Sequence, residues 1–297
     1  TFCAQTLVKM ANAAAKIAIV TGSNQGIGFE IVKGLSKLWP KNHVVYICSR
    51  NENNGKKALE QLEKDIDSTK RCDVRLTSLD VCDERSVEAF AATMRNDHPG
   101  GIDILVNNAG TYVKGKDFSK EVAQQTFAVN YFGLKRVTEA LLPFIKEGGR
   151  IVNVSSILGT LQRLKSQTLI DTFMDPKLTL KQLDSLVEQY IEGIDDEKTY
   201  EKLGFIDQPY HMSKAAVNAY TRILARENPK ISALAAHPGY CQTQLTGGNG
   251  HITAAEGAET EIDLVTTEPA PQTGGFFHKG EQLDLINGEK ITKKSNL

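Results

Sequence analysis

A glycine-rich turn between a strand and a helix constrains the fold of this chain more than any other feature. The apolar run Lys16–Val20 leads directly into TGSNQGIG at residues 21–28. The helical pattern that follows carries Ile27, Ile31, Leu35 and Leu38 at three- to four-residue spacing, and Pro40 ends it. Glycines let the backbone bend sharply and let a pyrophosphate approach the amide groups at the start of the helix. The turn therefore predicts a dinucleotide site formed by Gly22, Ser23, Asn24, Gln25, Gly26, Ile27 and Gly28.

Short β-rich runs alternate with helical patterns along the chain. The predicted strands are Lys16–Val20, Val44–Ser49, Val74–Leu79, Ile102–Val106, Ile151–Val154 and Ile231–Ala236. Strands that alternate with helices are typical of a parallel sheet covered on both faces. We therefore predict an α/β fold with one doubly wound parallel sheet of the Rossmann type.

Two further helices are predicted around this sheet. One carries Phe127, Tyr131, Leu134, Leu141 and Ile145 on one face and stops at Gly148-Gly149, and the other runs from about Tyr210 to Glu227. Residues 157–209 are far longer than a usual loop between a strand and a helix, so they are predicted to be a folded insert. The insert has a capping box of Thr179 and Gln182, followed by Leu180, Leu183, Val187, Tyr190 and Ile194 on one helical face.

The chain is predicted to contain one folded domain between two terminal segments. Residues 1–15 are predicted to be a leader, disordered or not native to the protein, residues 16–286 a single domain, and residues 287–297 a polar, frayed tail.

The 35 Lys and Arg against 36 Asp and Glu give a charge of -1, so no global field attracts nucleic acid or an anionic membrane. No apolar run reaches the ~18 residues of a membrane span, and no histidine cluster predicts a metal site. Five scattered cysteines without a CxxC motif favour a reducing, cytoplasmic location.

Polar and small residues follow the third and fourth predicted strands. Asp80 and Val81 end the third strand, and Asn107, Ala109 and Gly110 follow the fourth. Ligands of open α/β folds bind at this carboxyl edge of the sheet. These residues are therefore predicted to line the cofactor cleft.

Arg50 follows the second strand, 22 residues after Gly28. A site for NAD offers an acidic residue to the ribose 2′-hydroxyl at this point, whereas an arginine can pair with a 2′-phosphate. Arg50 therefore favours NADP(H). The alternative is that Arg50 is an ordinary surface cation and that Glu52 binds the ribose.

A serine, a tyrosine and a lysine fall where the sheet meets the last long helix. Ser156 closes the fifth strand, and Tyr210 and Lys214, four residues apart, lie on one face of the helix. A free phenol has a pKa of about 10, and a nearby ammonium and a positive nicotinamide would lower it. Such a pair occurs by chance in many helices, but its combination with the serine and the dinucleotide turn predicts an acid–base site.

The motifs and their order along the chain resemble those of the short-chain dehydrogenase/reductase family, in the group that contains single-subunit carbonyl reductases. The resemblance covers about residues 16–285 and rests on TGSNQGIG at 21–28, NNAG at 107–110, NYFG at 130–133, VNVSS at 152–156, YHMSK at 210–214 and HPGY at 237–240. It implies that Tyr210 is the general acid/base, that Lys214 lowers its pKa and holds the nicotinamide ribose, and that Ser156 hydrogen-bonds the substrate oxygen. It also implies that Asn130 orders a water between the lysine and solvent.

The resemblance adds contacts and a subgroup. Pro238, Gly239 and Thr243 are implied cofactor contacts, with the threonine at the nicotinamide carboxamide. In the carbonyl-reductase group such an insert covers the face that other members use to oligomerise, which implies a monomer. The chain departs from the group at Gln25, where lysine is common, and at Tyr240 on the substrate side, where tryptophan is frequent.

The sequence therefore predicts an NADPH-dependent reductase of aldehyde, ketone or quinone carbonyls. Ser156 and Tyr210 would hydrogen-bond the carbonyl oxygen, Tyr210 would protonate it, and Tyr240 would contact the substrate. An alcohol or steroid dehydrogenase working in the oxidative direction would use the same residues. A cofactor-sensing protein with little turnover is the alternative from another class.

Overall fold

The computed structural model describes residues 15–113, 118–195 and 202–292 and centres on an eight-stranded sheet. The strands in chain order are β1 (Ile17–Val20), β2 (Val44–Ser49), β3 (Asp73–Ser78), β4 (Ile102–Asn107), β5 (Ile145–Val154), β6 (Ser232–Ala236), β7 (Cys241–Gln242), β8 (Ile252–Thr253), β9 (Phe276–His278) and β10 (Glu281–Leu283). β7 and β8 form a separate two-stranded ribbon, and the other strands form the sheet.

Helices cover both faces of this sheet. They are α1 (Gly26–Leu38), α2 (Glu52–Asp65), α3 (Glu84–Asp97), α4 (Lys120–Phe127), α5 (Leu134–Leu141), α6 (Gln167–Met174), α7 (Leu180–Gly193), α8 (Pro209–Glu227) and α9 (Ala254–Thr266). A π-helical turn, Ala128–Gly133, joins α4 to α5.

The strand order is β10-β9-β6-β5-β4-β1-β2-β3. Pairing is parallel from β3 through to β9, and the edge strand β10 is antiparallel to β9. The order reverses between β1 and β4, which creates the crevice where open α/β sheets bind ligands. The predicted doubly wound fold is confirmed.

The sheet has an apolar core on each face. Every residue of β1 and β2 is buried, as expected for strands covered on both sides. One core packs α3, α4, α5, α8 and the insert against the sheet, and the other packs α1, α2 and α9. Within the described ranges, no helix combines the length and apolar character that a membrane crossing requires.

The insert packs on the helices beside it through apolar and polar contacts. The predicted capping box is present, since Thr179 accepts from the Gln182 amide and Gln182 accepts from the Thr179 amide. Leu183 and Tyr190 of α7 are completely buried in the core. Asp184 of α7 accepts from the Tyr131 hydroxyl at 2.8 Å. α7 therefore covers the face formed by α4, α5 and α8.

Two predictions about this region of the sheet are wrong. Ile145 does not continue a helix, because α5 ends at Leu141 and a short turn containing Pro143 leads into β5 at Ile145. Proline lacks the amide hydrogen that a continued helix needs. The count of six strands is also too low, because β9 and β10 have three residues each and are too short to show a strand pattern.

Residues 287–292, the described part of the predicted polar tail, pair with β10 and do not fray. The Ile291 amide donates to the Gln282 carbonyl at 2.8 Å, which continues the antiparallel pairing. The carbonyls of Leu285 and Ile286 accept from the amides of Leu161 and Gln162 at 3.0 and 2.8 Å. Backbone pairing with the start of the insert thus orders polar residues that lack an apolar period. Residues 293–297, and residues 1–14 of the predicted leader, lie outside the described chain.

Candidate active site

The glycine turn leaves the carboxyl end of β1 and leads into α1. Gly22 and Gly26 have φ angles of 61° and 59°, the left-handed region that favours glycine. A Cβ at Gly22 would lie 2.8 Å from the Ala109 Cα, so a side chain would displace the NNAG segment. Among the described residues, Gln25 at the N-cap of α1 makes no side-chain capping bond. The first amide groups of α1 are therefore available to an anion.

A cavity of about 700 Å³ runs along the carboxyl edge of the sheet beside this turn. Small-molecule sites usually measure about 300–1,000 Å³. The predicted site residues that line the cavity are Gly22, Asn24, Gln25, Gly26, Ile27, Arg50, Asp80, Val81, Ala109, Gly110, Ser156, Tyr210, Lys214, Pro238, Gly239, Tyr240 and Thr243. One cavity thus unites the dinucleotide turn with the serine, the tyrosine and the lysine.

Ser23 and Gly28 lie behind the cavity wall. Ser23 Oγ donates to the Val20 carbonyl at 2.7 Å and accepts from the Cys48 amide at 3.0 Å, which fixes the turn to β2. A Cβ at Gly28 would lie 2.4 Å from Asn108 Nδ2. These two residues therefore shape the turn and do not line the cavity.

Asn107 and Asn130 also lie behind the wall, and both are buried. Asn107 Nδ2 donates to Asn153 Oδ1 at 2.8 Å, which links the ends of β4 and β5. Asn130 lies in the π-helical turn, where its Oδ1 accepts from the Thr111 amide at 2.8 Å and its Nδ2 donates to the Thr111 carbonyl at 3.0 Å. Its Nδ2 also donates to Ser213 Oγ at 3.1 Å. Asn130 therefore ties the segment after β4 to α8.

Ser156, Tyr210 and Lys214 converge at the end of β5. Ser156 Oγ accepts from the Leu158 amide at 3.1 Å, and the Ser156 hydroxyl is close enough to the Tyr210 phenol to affect its pKa. Lys214 is buried, and its Nζ lies 5.6 Å from the Tyr210 ring centroid. The Lys214 Nζ donates to the Val154 carbonyl at 2.7 Å. A hydroxyl pair and an ammonium thus share one end of the cavity.

Burial governs the pKa values of this pair. It raises the pKa of Tyr210 to about 12, and the Ser156 hydroxyl opposes this rise. Burial also lowers the pKa of Lys214 to about 8, and the charge of Glu261 opposes this fall. The predicted lowering also invoked the positive charge of a nicotinamide; the protein groups alone raise the pKa, because the loss of solvent around the phenol outweighs the effect of Ser156.

Arg50 lines a second cavity that adjoins the first at the end of β2. Asn24, Asn54 and Lys57 also line it. Glu52, the alternative ribose ligand, lines neither cavity, and its carboxylate lies 2.7 Å from Lys56 Nζ on the helix surface. Among the described residues that line this second cavity, Arg50 and Lys57 are cations and none is a carboxylate.

Several residues of the site were not predicted from the sequence. Tyr112, Leu158, His211 and Leu245 line the main cavity. Tyr112 is two residues beyond NNAG, which is the one signal that could have identified it. Glu261 of α9 is completely buried, and neither carboxylate oxygen has a hydrogen-bond partner among the described residues. Its spacing from Ala258, Leu264 and Val265 places it on the apolar face of α9, which is the signal that could have identified it.

Comparison with known proteins agrees with this architecture. A family model described as short chain dehydrogenase matches residues 16–168. The (+)-neomenthol dehydrogenase of Arabidopsis thaliana is 31% identical over 301 residues, which cover 92% of this chain and 99% of the relative. Carbonyl reductase [NADPH] 3 of Mus musculus is 34% identical over 265 residues, which cover 86% and 92%. The structure of salutaridine reductase from Papaver somniferum superposes with a TM-score of 0.78 at 31% identity, covering 88% of this chain and 99% of that one.

The fold, the dinucleotide turn and the serine–tyrosine–lysine cluster define an oxidoreductase that uses a nicotinamide cofactor and acts on small molecules. The chain belongs to the short-chain dehydrogenase/reductase family.

Proposed function

We propose that the protein is an NADPH-dependent reductase of aldehyde, ketone or quinone carbonyls. The observation that carries this proposal is that Ser156, Tyr210 and the buried Lys214 line one cavity together with the glycine turn. The names of the mouse relative and of the poppy structure, a carbonyl reductase and a salutaridine reductase, support the reductive direction.

The residues present fit a dinucleotide. The amides at the start of α1 would bind its pyrophosphate, and Gly22 leaves the room that a side chain would fill. Arg50 and Lys57 line the adjoining cavity, where a 2′-phosphate would meet two cations. The separation of Glu52 from both cavities supports NADPH over NADH. When bound, the cofactor supplies the hydride.

The protein groups would orient and protonate the carbonyl. Ser156 and Tyr210 donate hydrogen bonds to the carbonyl oxygen, and these bonds strengthen as negative charge develops on it. Tyr210 then transfers its proton to that oxygen. The Lys214 ammonium is 5.6 Å from the ring centroid and favours the resulting phenolate by charge. A tyrosine whose pKa is raised by burial holds its proton until that moment.

The Tyr210→Phe variant tests this function. A positioned acid contributes roughly 10²–10⁴-fold, so turnover of NADPH with a carbonyl panel should fall at least about a hundredfold. Binding of NADPH, followed by its fluorescence, should remain. Tyr46→Phe is the matched control, because Tyr46 hydrogen-bonds His98 at 2.8 Å and does not line the cavity. Retained turnover in Tyr210→Phe would refute the assignment, and wild type active only with alcohols and NADP⁺ would reverse the direction.

We also propose a monomer, because α7 of the insert covers the outer face of α4 and α8 with buried Leu183, Val187 and Tyr190. Size-exclusion chromatography with light scattering measures the molar mass directly, and the mass of a dimer would contradict the proposal.

A further inference from the structure

The wall of the cavity beside Tyr210 carries a large aromatic residue. Tyr112 leaves 44% of its surface exposed and lines the cavity. Its ring centroid lies 5.4 Å from that of Tyr210, and the two rings are nearly perpendicular at 82°. An exposed aromatic ring in a cavity is a surface for apolar ligand groups.

The backbone that leads into Tyr112 is held by hydrogen bonds. The preceding residue, Thr111, exchanges two hydrogen bonds with the Asn130 side chain, at 2.8 and 3.0 Å. Further back along the chain, the amides of Asn108 and Ala109 donate to Thr21 Oγ1, both at 3.0 Å. The chain is therefore fixed on the N-terminal side of the ring.

Other apolar and aromatic side chains line the same cavity. Leu158 and Leu245 are two of them. Tyr240 lines it as well, with 48% of its surface exposed and its ring 5.2 Å from that of His251 in an edge arrangement. A carbonyl substrate whose oxygen reaches Tyr210 would have its carbon substituents in the cavity that these side chains line.

We propose that Tyr112 is a specificity-determining residue that favours carbonyl compounds bearing a flat, unsaturated ring next to the carbonyl group. This inference rests on the proposed function, since it assumes that the carbonyl oxygen binds the Ser156 and Tyr210 hydroxyls. Aromatic rings gain from edge or offset contact with one another beyond the area they bury, and saturated rings do not share this gain.

The test compares two aldehydes of equal carbon number, benzaldehyde and cyclohexanecarbaldehyde, at saturating NADPH. The kcat/KM for benzaldehyde divided by that for cyclohexanecarbaldehyde is measured in wild type, Tyr112→Leu and Tyr112→Phe. In Tyr112→Leu this ratio should fall roughly 3- to 10-fold, mainly through a higher KM for benzaldehyde. In Tyr112→Phe it should stay within about twofold, because the ring is kept. Comparing ratios cancels the intrinsic reactivity of the aldehydes.

The outcomes separate the two proposals. An unchanged ratio in Tyr112→Leu, or an equal loss in Tyr112→Phe, would overturn the role of the ring. A ratio that falls in Tyr240→Leu and not in Tyr112→Leu would do the same. If Tyr112→Leu does not fold, Tyr112→Met takes its place in the same comparison. Absence of NADPH oxidation with both aldehydes in wild type would instead contradict the proposed function.

Discussion

Glu261 allows a direct test of the electrostatics of this fold. Its carboxyl group is completely buried on α9 and has no hydrogen-bond partner among the described residues. Burial raises its pKa from 4.5 to about 8, and the charge of Lys214 opposes this rise. The folded protein therefore keeps Glu261 protonated under conditions where the unfolded chain releases the proton.

This difference makes stability depend on pH. The contribution of a group whose pKa is raised by folding is fully present below the unfolded value and is lost as pH rises through the folded value. The loss is about 1.4 kcal/mol per pH unit between the two values. From about pH 5 to about pH 8, wild type should lose roughly 3 kcal/mol through Glu261 alone. In a domain of this size, that corresponds to roughly 6–12 °C in Tm.

Glu261→Gln removes the titration and keeps the size of the side chain. We expect the variant to match wild type near pH 5 and to exceed its stability by roughly 3 kcal/mol near pH 8. Urea unfolding at several pH values, followed by circular dichroism, measures the difference. Glu259→Gln is the matched control on the exposed face of α9 and should show no such trend. A difference between Glu261→Gln and wild type that is independent of pH would refute the reasoning, because it would mean that the carboxylate is solvated in the folded protein.

Two further predictions concern the cofactor and the insert. Arg50→Ala should weaken NADPH binding roughly 10- to 100-fold and leave NADH binding nearly unchanged, because a charged contact contributes about 1.5–3 kcal/mol. Calorimetric titration of both cofactors checks this. An equal loss of affinity for both would contradict the contact between Arg50 and the 2′-phosphate. Leu183→Ala should lower the free energy of unfolding by about 2–5 kcal/mol, because Leu183 is completely buried between α7 and the core. Urea unfolding measures this loss of stability. A loss below about 1 kcal/mol would mean that the insert packs loosely.

The central sheet could be predicted because its strands are buried on both faces and read as continuous apolar runs. β1 and β2 have these features, and their predicted bounds differ from the structure by one residue at most. β9 and β10 could not be predicted in the same way, because three residues show no periodicity. Ile145 was misassigned because an apolar residue at helical spacing looks the same whether a helix continues or a strand begins.

The main site residues could be predicted because the motifs occur at strand ends that a parallel sheet brings to one edge. Ser156, just after β5, lines the cavity for this reason, whereas Tyr210 and Lys214 line it from the first turns of α8, where residues four apart share a face. The sequence could not indicate whether a motif residue faces the cavity or supports it, and Asn107 and Asn130 prove to be buried behind the wall. Glu261 was missed because no helix was predicted over α9, although its spacing from Ala258 and Leu264 places it on the apolar face of that helix.

The amides of Leu161 and Gln162 donate to the carbonyls of Leu285 and Ile286, so two distant parts of the chain are joined. Leu161 lies five residues after Ser156, and the segment beyond β10 is hydrogen-bonded to it. The backbone that follows Ser156 is therefore fixed in part by residues near the far end of the described chain.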